Sequence, residues 1–256
     1  MPTYGYCGGI RKHLKKYKAM RAFRSTIENT LSLARYNMKI IFGGKFIYFI
    51  LAAFIFFLVF GTIMALESSD MWLEDIYGLL AFPAILLVFF PSVFGIQSDA
   101  DQRTLEIIFG IPDYRYKVWL VRYLMILVLV FVLLFPFAGL AYYALMSFPI
   151  MRMILHLMVL VLFVSALGFC LSTLVRNGNA TAVIMVIVGL FLLILADELD
   201  ESKWNIFLNP FNTPRDLNEI VWREIIRQNR IIMGIGSLVL LLLGLLNLQR
   251  REKFLR

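Results

Sequence analysis

Six apolar runs, each close to the length that crosses a bilayer, decide most of what this chain can become. They cover Phe46 to Leu66, Ile76 to Ile96, Val118 to Met146, Met151 to Val175, Ala180 to Ala196 and Ile231 to Leu248. About 20 predominantly apolar residues make one helical crossing, and away from their ends these runs hold no Asp, Glu or Lys. Lipid offers a bare backbone no hydrogen bonds, so such runs must be helices or a closed barrel. Barrel strands would alternate in polarity, and these do not. The fold class expected is an all-α membrane protein with six transmembrane helices. With 61% hydrophobic and 16% charged residues in 256 positions, the chain carries more apolar surface than a soluble fold of this length can hide. The third run is the longest; a tilt, an extension beyond the bilayer or a bend at Pro136 would each accommodate it.

The distribution of positive charge sets the expected orientation. Ten Lys and Arg precede Phe46, four lie between Gln97 and Arg122, Arg176 stands between runs four and five, and four follow Leu248. On the opposite side stand Arg152 and five in the long segment between runs five and six, and the first loop there carries Glu67, Asp70, Glu74 and Asp75. Short basic loops stay in the cytoplasm, so both termini are expected inside, in a multi-pass protein of the plasma (inner) membrane. The basic start, MPTYGYCGGIRKHLKKYK, lacks the apolar stretch of a cleavable signal peptide. Cys7 lies in that start and Cys170 in an apolar run, so no disulfide is expected between them, and Cys170 reads as a small packed apolar residue.

Ahead of the first run, Phe23, Ile27, Leu31, Ala34, Met38 and Ile41 recur at helical spacing, with Arg21, Arg24, Glu28, Arg35 and Lys39 on other faces. This predicts an amphipathic interfacial helix along the cytoplasmic leaflet, the alternative being a cytoplasmic extension of the first span. Gly43 and Gly44 at the junction favour a bend and therefore the interfacial form.

Catalytic machinery is not visible. The nearest approach to a phosphate-binding loop, GGKF at Gly43 to Phe46, lacks the first glycine and the hydroxyl that would hold magnesium. His13 and His156 are the only histidines, and no HExxH, Cys/His cluster or GxSxG exists. His156, near the outer end of the fourth run, reads as an interfacial or packed residue. No catalytic, cofactor-binding or metal-binding residue is assigned, and an integral membrane enzyme has nothing to build with. Ion-coupled transport usually needs ionisable groups at membrane depth, and the runs offer none. Energy for transport would therefore come from a partner acting on the cytoplasmic face. The net charge of +8 belongs to flanks facing anionic lipid, where each Lys or Arg contributes about 1 kcal/mol, rather than to a nucleic-acid surface.

The informative connection is SDADQRTLEIIFGIPDYRYKVWLVRYL, Ser98 to Leu124. Leu105, Ile108 and Phe109 would share one face of a short helix that Pro112 ends, an apolar ridge flanked by Asp101, Arg103 and Glu106. Such a ridge suits a groove on a soluble partner; an amphipathic helix resting on headgroups is the alternative. The stretch resembles the signature loop of ABC-2 type transporter permeases. Asp99 and Asp101 stand where that family commonly has glutamates, Thr104, Leu105 and Glu106 match, and Pro112, Arg115 and Arg122 fall at the remaining places. Arg103 departs, since the family prefers glycine there. The similarity extends more loosely to Leu171 to Leu190 and to LNPFNTPRDL at Leu208 to Leu217.

The resemblance implies residues 1–45 as a cytoplasmic basic segment with the interfacial helix, 46–248 as an ABC-2 type six-helix transmembrane domain, and 249–256 as a basic cytoplasmic tail. It further implies half of an export pathway: a second permease subunit, identical or homologous, and two separate ATP-binding cassette subunits that would hold the ATP and magnesium, all set among membrane lipids and with no nucleic acid. The segment from Asp101 to Pro112 would be the coupling helix entering the ATPase groove. A membrane scaffold or anchor for an ABC-type ATPase, without transport, is the rival role.

The resemblance also implies that the extracytoplasmic segment from Asp197 to Arg230 is partly re-entrant or made of short helices. Asn209, Pro210, Pro214 and Asp216 carry turn and N-cap chemistry, and Ile220, Val221, Ile225 and Ile226 follow at near-helical spacing. Trp204 and Trp222 suit the membrane interface. Asn209, Pro210 and Phe211 are the candidates for an outer gate, interfacial anchoring being the alternative.

Overall fold

The structure, a computed structural model, describes residues 46–67, 72–101, 115–175, 177–214 and 217–248. The proposed interfacial helix, with Phe23, Ile27, Leu31 and Met38, lies outside these residues, as does the basic tail. The described chain forms six long helices and no strand: α1 (Phe46–Glu67), α2 (Leu73–Asp101), α3 (Val121–Ala144), α4 (Ile150–Val175), α5 (Gly178–Glu198) and α6 (Glu219–Asn247), with a π-helical segment, Arg115–Leu120, leading directly into α3. All six are long and apolar enough to cross a membrane.

Five of the expected runs match their helices to within a few residues, and α6 runs on well past its own. α3 continues through Pro136 without interruption and is lengthened by the π segment at its start. α6 begins at Glu219, well before the apolar run at Ile231, so Ile220, Val221, Ile225 and Ile226 form its first turns rather than a separate short helix. Its N-cap is Asn218, whose side chain accepts from the Ile220 amide at 3.2 Å. At 29 residues the helix spans about 43 Å, more than a hydrocarbon core of about 30 Å, which leaves its polar opening turns outside the apolar layer.

α4 is the hub, packed on α2, α3, α5 and α6. Over half of the most apolar window of α4 and of α2 is buried, against 17% for α1 and for α5, whose outward faces carry Leu51, Ile55, Leu58 and Ile187, Phe191, Ile194. Lipid tails are as apolar as leucine, so close packing and hydrogen bonds rather than water exclusion hold such helices together. Gly168 on α4 admits Ser92 of α2, to within 3.0 Å of where a Cβ would stand, and Ser172 donates to the Val93 carbonyl at 3.0 Å. Gly244 on α6 faces the Phe169 ring, 2.8 Å from its absent Cβ. α1 is attached by phenylalanine rings instead: Phe49 lies 4.9 Å from Phe90, Phe56 4.0 Å from Phe82, and Phe57 5.6 Å edge-on from Phe137.

Candidate functional site

The loop from Leu199 to Asn218 is held down by side-chain amides rather than by regular structure. Asn205, buried, accepts the Phe207 amide through Oδ1 at 2.9 Å and donates through Nδ2 to the Ala196 carbonyl of α5 at 3.2 Å. Asn209 repeats the device: Oδ1 accepts from the Phe211 amide at 3.1 Å, and Nδ2 donates to the Glu74 carbonyl on α2 at 2.9 Å. These are Asx turns, in which a short amide completes a bend and still reaches a neighbour. From α6, the fully buried Asn229 donates to the carbonyls of Lys203 at 2.9 Å and Asn205 at 2.7 Å, and Arg230 donates through Nη2 to Leu208 at 3.3 Å. Phe211 completes the closure, its ring 6.0 Å from Tyr77 of α2 and 5.6 Å, edge-on, from His156 of α4. Pro210, half-buried, sits between the two residues that make these contacts.

The structure thus brings Asn209, Pro210 and Phe211 together over the ends of α2, α4 and α6. It also adds Asn205, Asn229, Arg230, Tyr77 and His156, of which the sequence marked only His156, as a packed or interfacial residue; packed is how it stands. Asn229 and Arg230 had one readable signal, two polar side chains at the head of an apolar run, where polar groups default to function. Trp204 is exposed as expected for an interface, whereas Trp222 is buried against the protein.

At the other end, α2 continues as helix through Asp99 and Asp101, so those two residues ride its last turn instead of opening the following connection. Arg115 starts the π segment. Arg103, Thr104, Leu105, Glu106, Ile108, Phe109 and Pro112 lie outside the described residues. The flanks of that stretch are firmly seated: Ile96, Trp119, Tyr123, Phe169, Leu245 and Leu248 form one buried apolar cluster drawn from α2, the π segment, α3, α4 and the end of α6. The Arg122 guanidinium, itself buried, stands 5.5 Å from the centre of the Trp119 ring. The Tyr123 and Ser165 hydroxyls stand 2.9 Å apart and both lie within reach of the Leu162 carbonyl; with one proton each, one donates to the carbonyl and the other to its neighbour, which uses up both structurally. Gln97 accepts the Gly178 amide and Asn247 donates to Thr173, closing the same end.

Among the described residues no group of three or more His, Cys, Asp or Glu could hold a metal ion, and Cys170 is a free, buried thiol. What the loop end offers chemically is binding and closure: amides, a phenol, an imidazole and a guanidinium set under an aromatic ring. Fold and site together define a multi-pass, all-helical membrane protein whose α5–α6 loop is latched onto three other helices. Comparison with family models, with curated proteins and with solved structures finds no match.

Proposed function

We propose that the chain is a permease subunit of an ABC transporter of the ABC-2 type, one half of an export path whose ATP is hydrolysed by separate cassette subunits. The observation that carries this is the order of Asp99, Asp101, Thr104, Leu105, Glu106, Pro112, Arg115 and Arg122 from the last turn of the second of six apolar helices to the first turn of the third. Supporting it is the seating of that connection's flanks, since Ile96, Trp119 and Tyr123 share one packed cluster with α4 and α6. Close-packed side chains transmit displacement instead of absorbing it, so a push on the connection reaches four helices at once.

In this scheme the basic termini and the coupling segment face the cytoplasm, two cassette subunits dock there, and a second permease completes the path. Their ATP-driven closure tilts the permeases against each other. The Asn209–Phe211 stretch is the outer gate, tied to α2 through Asn209, and the loop leading into it is tied to α6 where Asn229 and Arg230 hold Asn205 and Leu208, so relative motion of α2 and α6 works on it.

The experiment is affinity purification of the tagged chain in mild detergent, identification of co-purifying proteins, and an ATPase assay on the complex. A stoichiometric cassette ATPase that is lost or uncoupled in Leu105→Arg is the expected result. A membrane-inserted Leu105→Arg chain with normal transport would sink the coupling assignment. An ATPase that co-purifies but drives no transport in reconstituted vesicles would move the protein to the scaffold role.

A further inference from the structure

We propose that the space between Tyr77, Arg230 and the Leu208–Phe211 stretch is a binding site for a single small anionic group of the carboxylate or phosphate class. A guanidinium presents five N–H donors and no acceptor. That of Arg230 spends one nitrogen, Nη2, on the Leu208 carbonyl, at the long distance of 3.3 Å. Its Nε and Nη1 are covered by protein and have no acceptor. The hydroxyl of Tyr77, a residue only 3% exposed, is likewise covered, and the group it faces is this guanidinium. A phenol oxygen turned toward the guanidinium could accept from it, yet the phenolic proton would still lack an acceptor, so donors outnumber acceptors however the hydrogens are arranged.

Among the described residues no carboxylate pairs with this guanidinium: the ion pair of this helix is Arg227 to Glu224, one turn away and exposed, while on α2 Asp75 accepts from the Trp72 amide and Glu74 contributes its backbone carbonyl to Asn209. The remaining walls are the Phe211 ring and the His156 imidazole set edge-on to it. Covered guanidinium donors without an acceptor are unfavourable, and water would supply acceptors without neutralising the charge. A planar or tetrahedral oxyanion does both, because its oxygens match the Nε/Nη1 edge of a guanidinium bidentately and leave one for the phenol. A cation would be repelled by the Arg230 charge. Because the donor atoms are covered, entry requires the Leu208–Phe211 stretch to lift, and occupancy would pin it down again.

The anion could be a lipid headgroup or a free solute, and the site lies where α6 passes from its polar opening turns into its apolar run. The two sources are separated by measuring the thermal unfolding midpoint of the full chain in nanodiscs. One series uses phosphatidylcholine with added inorganic phosphate, against chloride at equal ionic strength. The other replaces part of the phosphatidylcholine with phosphatidylglycerol. A saturable rise with phosphate, abolished in Arg230→Gln and shifted to about tenfold higher phosphate in Tyr77→Phe, is expected for a free anion. A rise only with phosphatidylglycerol, again dependent on Arg230, supports the site and assigns it to a headgroup. No saturable rise in either series, or an equal rise in Arg230→Gln, overturns the proposal. Should Arg230→Gln not fold, Tyr77→Phe decides alone, since it removes one oxygen and no packing: unchanged anion dependence there overturns it.

Discussion

Asn209 donates through Nδ2 to the backbone carbonyl of Glu74, 2.9 Å away and 135 residues earlier in the chain. That single bond fastens the α5–α6 loop to the first turn of α2. The same side chain accepts from the Phe211 amide, so it fixes the ring that meets Tyr77 and His156 as well.

Asn209→Ala should therefore release both contacts at once. The expected loss of stability is about 1 to 2 kcal/mol, and the Phe211 amide should exchange with deuterium faster while amides in the middle of α4 do not. An unchanged rate at Phe211 would mean that the turn is held by the Pro210 backbone and not by the amide.

Asn229 is fully buried and supplies Lys203 and Asn205 with their donor. Asn229→Leu leaves two loop carbonyls without it, and each buried orphan costs about 1 to 3 kcal/mol. We expect a lower unfolding midpoint than for Asn209→Ala, together with proteolytic sensitivity between Leu199 and Phe211. A midpoint no lower than that of Asn209→Ala would show that the loop carbonyls reach water.

Two glycines of α6 should respond oppositely to the same substitution. A Cβ at Gly244 would stand 2.8 Å from the Phe169 ring, whereas one at Gly234 meets nothing within 4 Å. Gly244→Ala should destabilise by about 1 to 3 kcal/mol through overpacking, and Gly234→Ala should be neutral or stabilising by up to about 1 kcal/mol from helix propensity. Thermal unfolding of the two variants side by side tests whether α6 packs on α4 as described.

Orientation can be read by cysteine labelling in a Cys7→Ser background, since Cys170 is buried. A cysteine at exposed Glu201 should react with an impermeant thiol reagent in intact cells, and one at exposed Asn179 only after permeabilisation. The reverse pattern would invert the protein in the membrane and remove the coupling segment from the cytoplasm.

The crossings were legible in the sequence because the rule behind them acts on local composition. A backbone in lipid must satisfy its own hydrogen bonds, so about 20 apolar residues are enough to declare a helix. Of the loop, the turn residues Asn209 and Pro210 were legible for the same local reason. The helical spacing of Ile220 to Ile226 was legible as well, but its continuity with the run at Ile231 was not: Arg223, Glu224, Arg227 and Gln228 make these opening turns look like part of a connection. Burial of Trp222 and Asn229 against the protein, with Asn218 capping, makes them one helix with the apolar run.

What the chain's composition determined by itself is six helices long and apolar enough to cross a membrane. Tertiary structure alone decided that α4 is the hub, that α1 and α5 turn apolar faces outward, and that Tyr77, His156, Asn209, Asn229 and Arg230 meet. Loop carbonyls without regular structure take donors from wherever folding brings them. Here the Asn205 carbonyl takes its donor from Asn229, 24 residues away, and the loop's own Asn209 donates to the Glu74 carbonyl of α2, 135 residues away, distances at which no local pattern carries information.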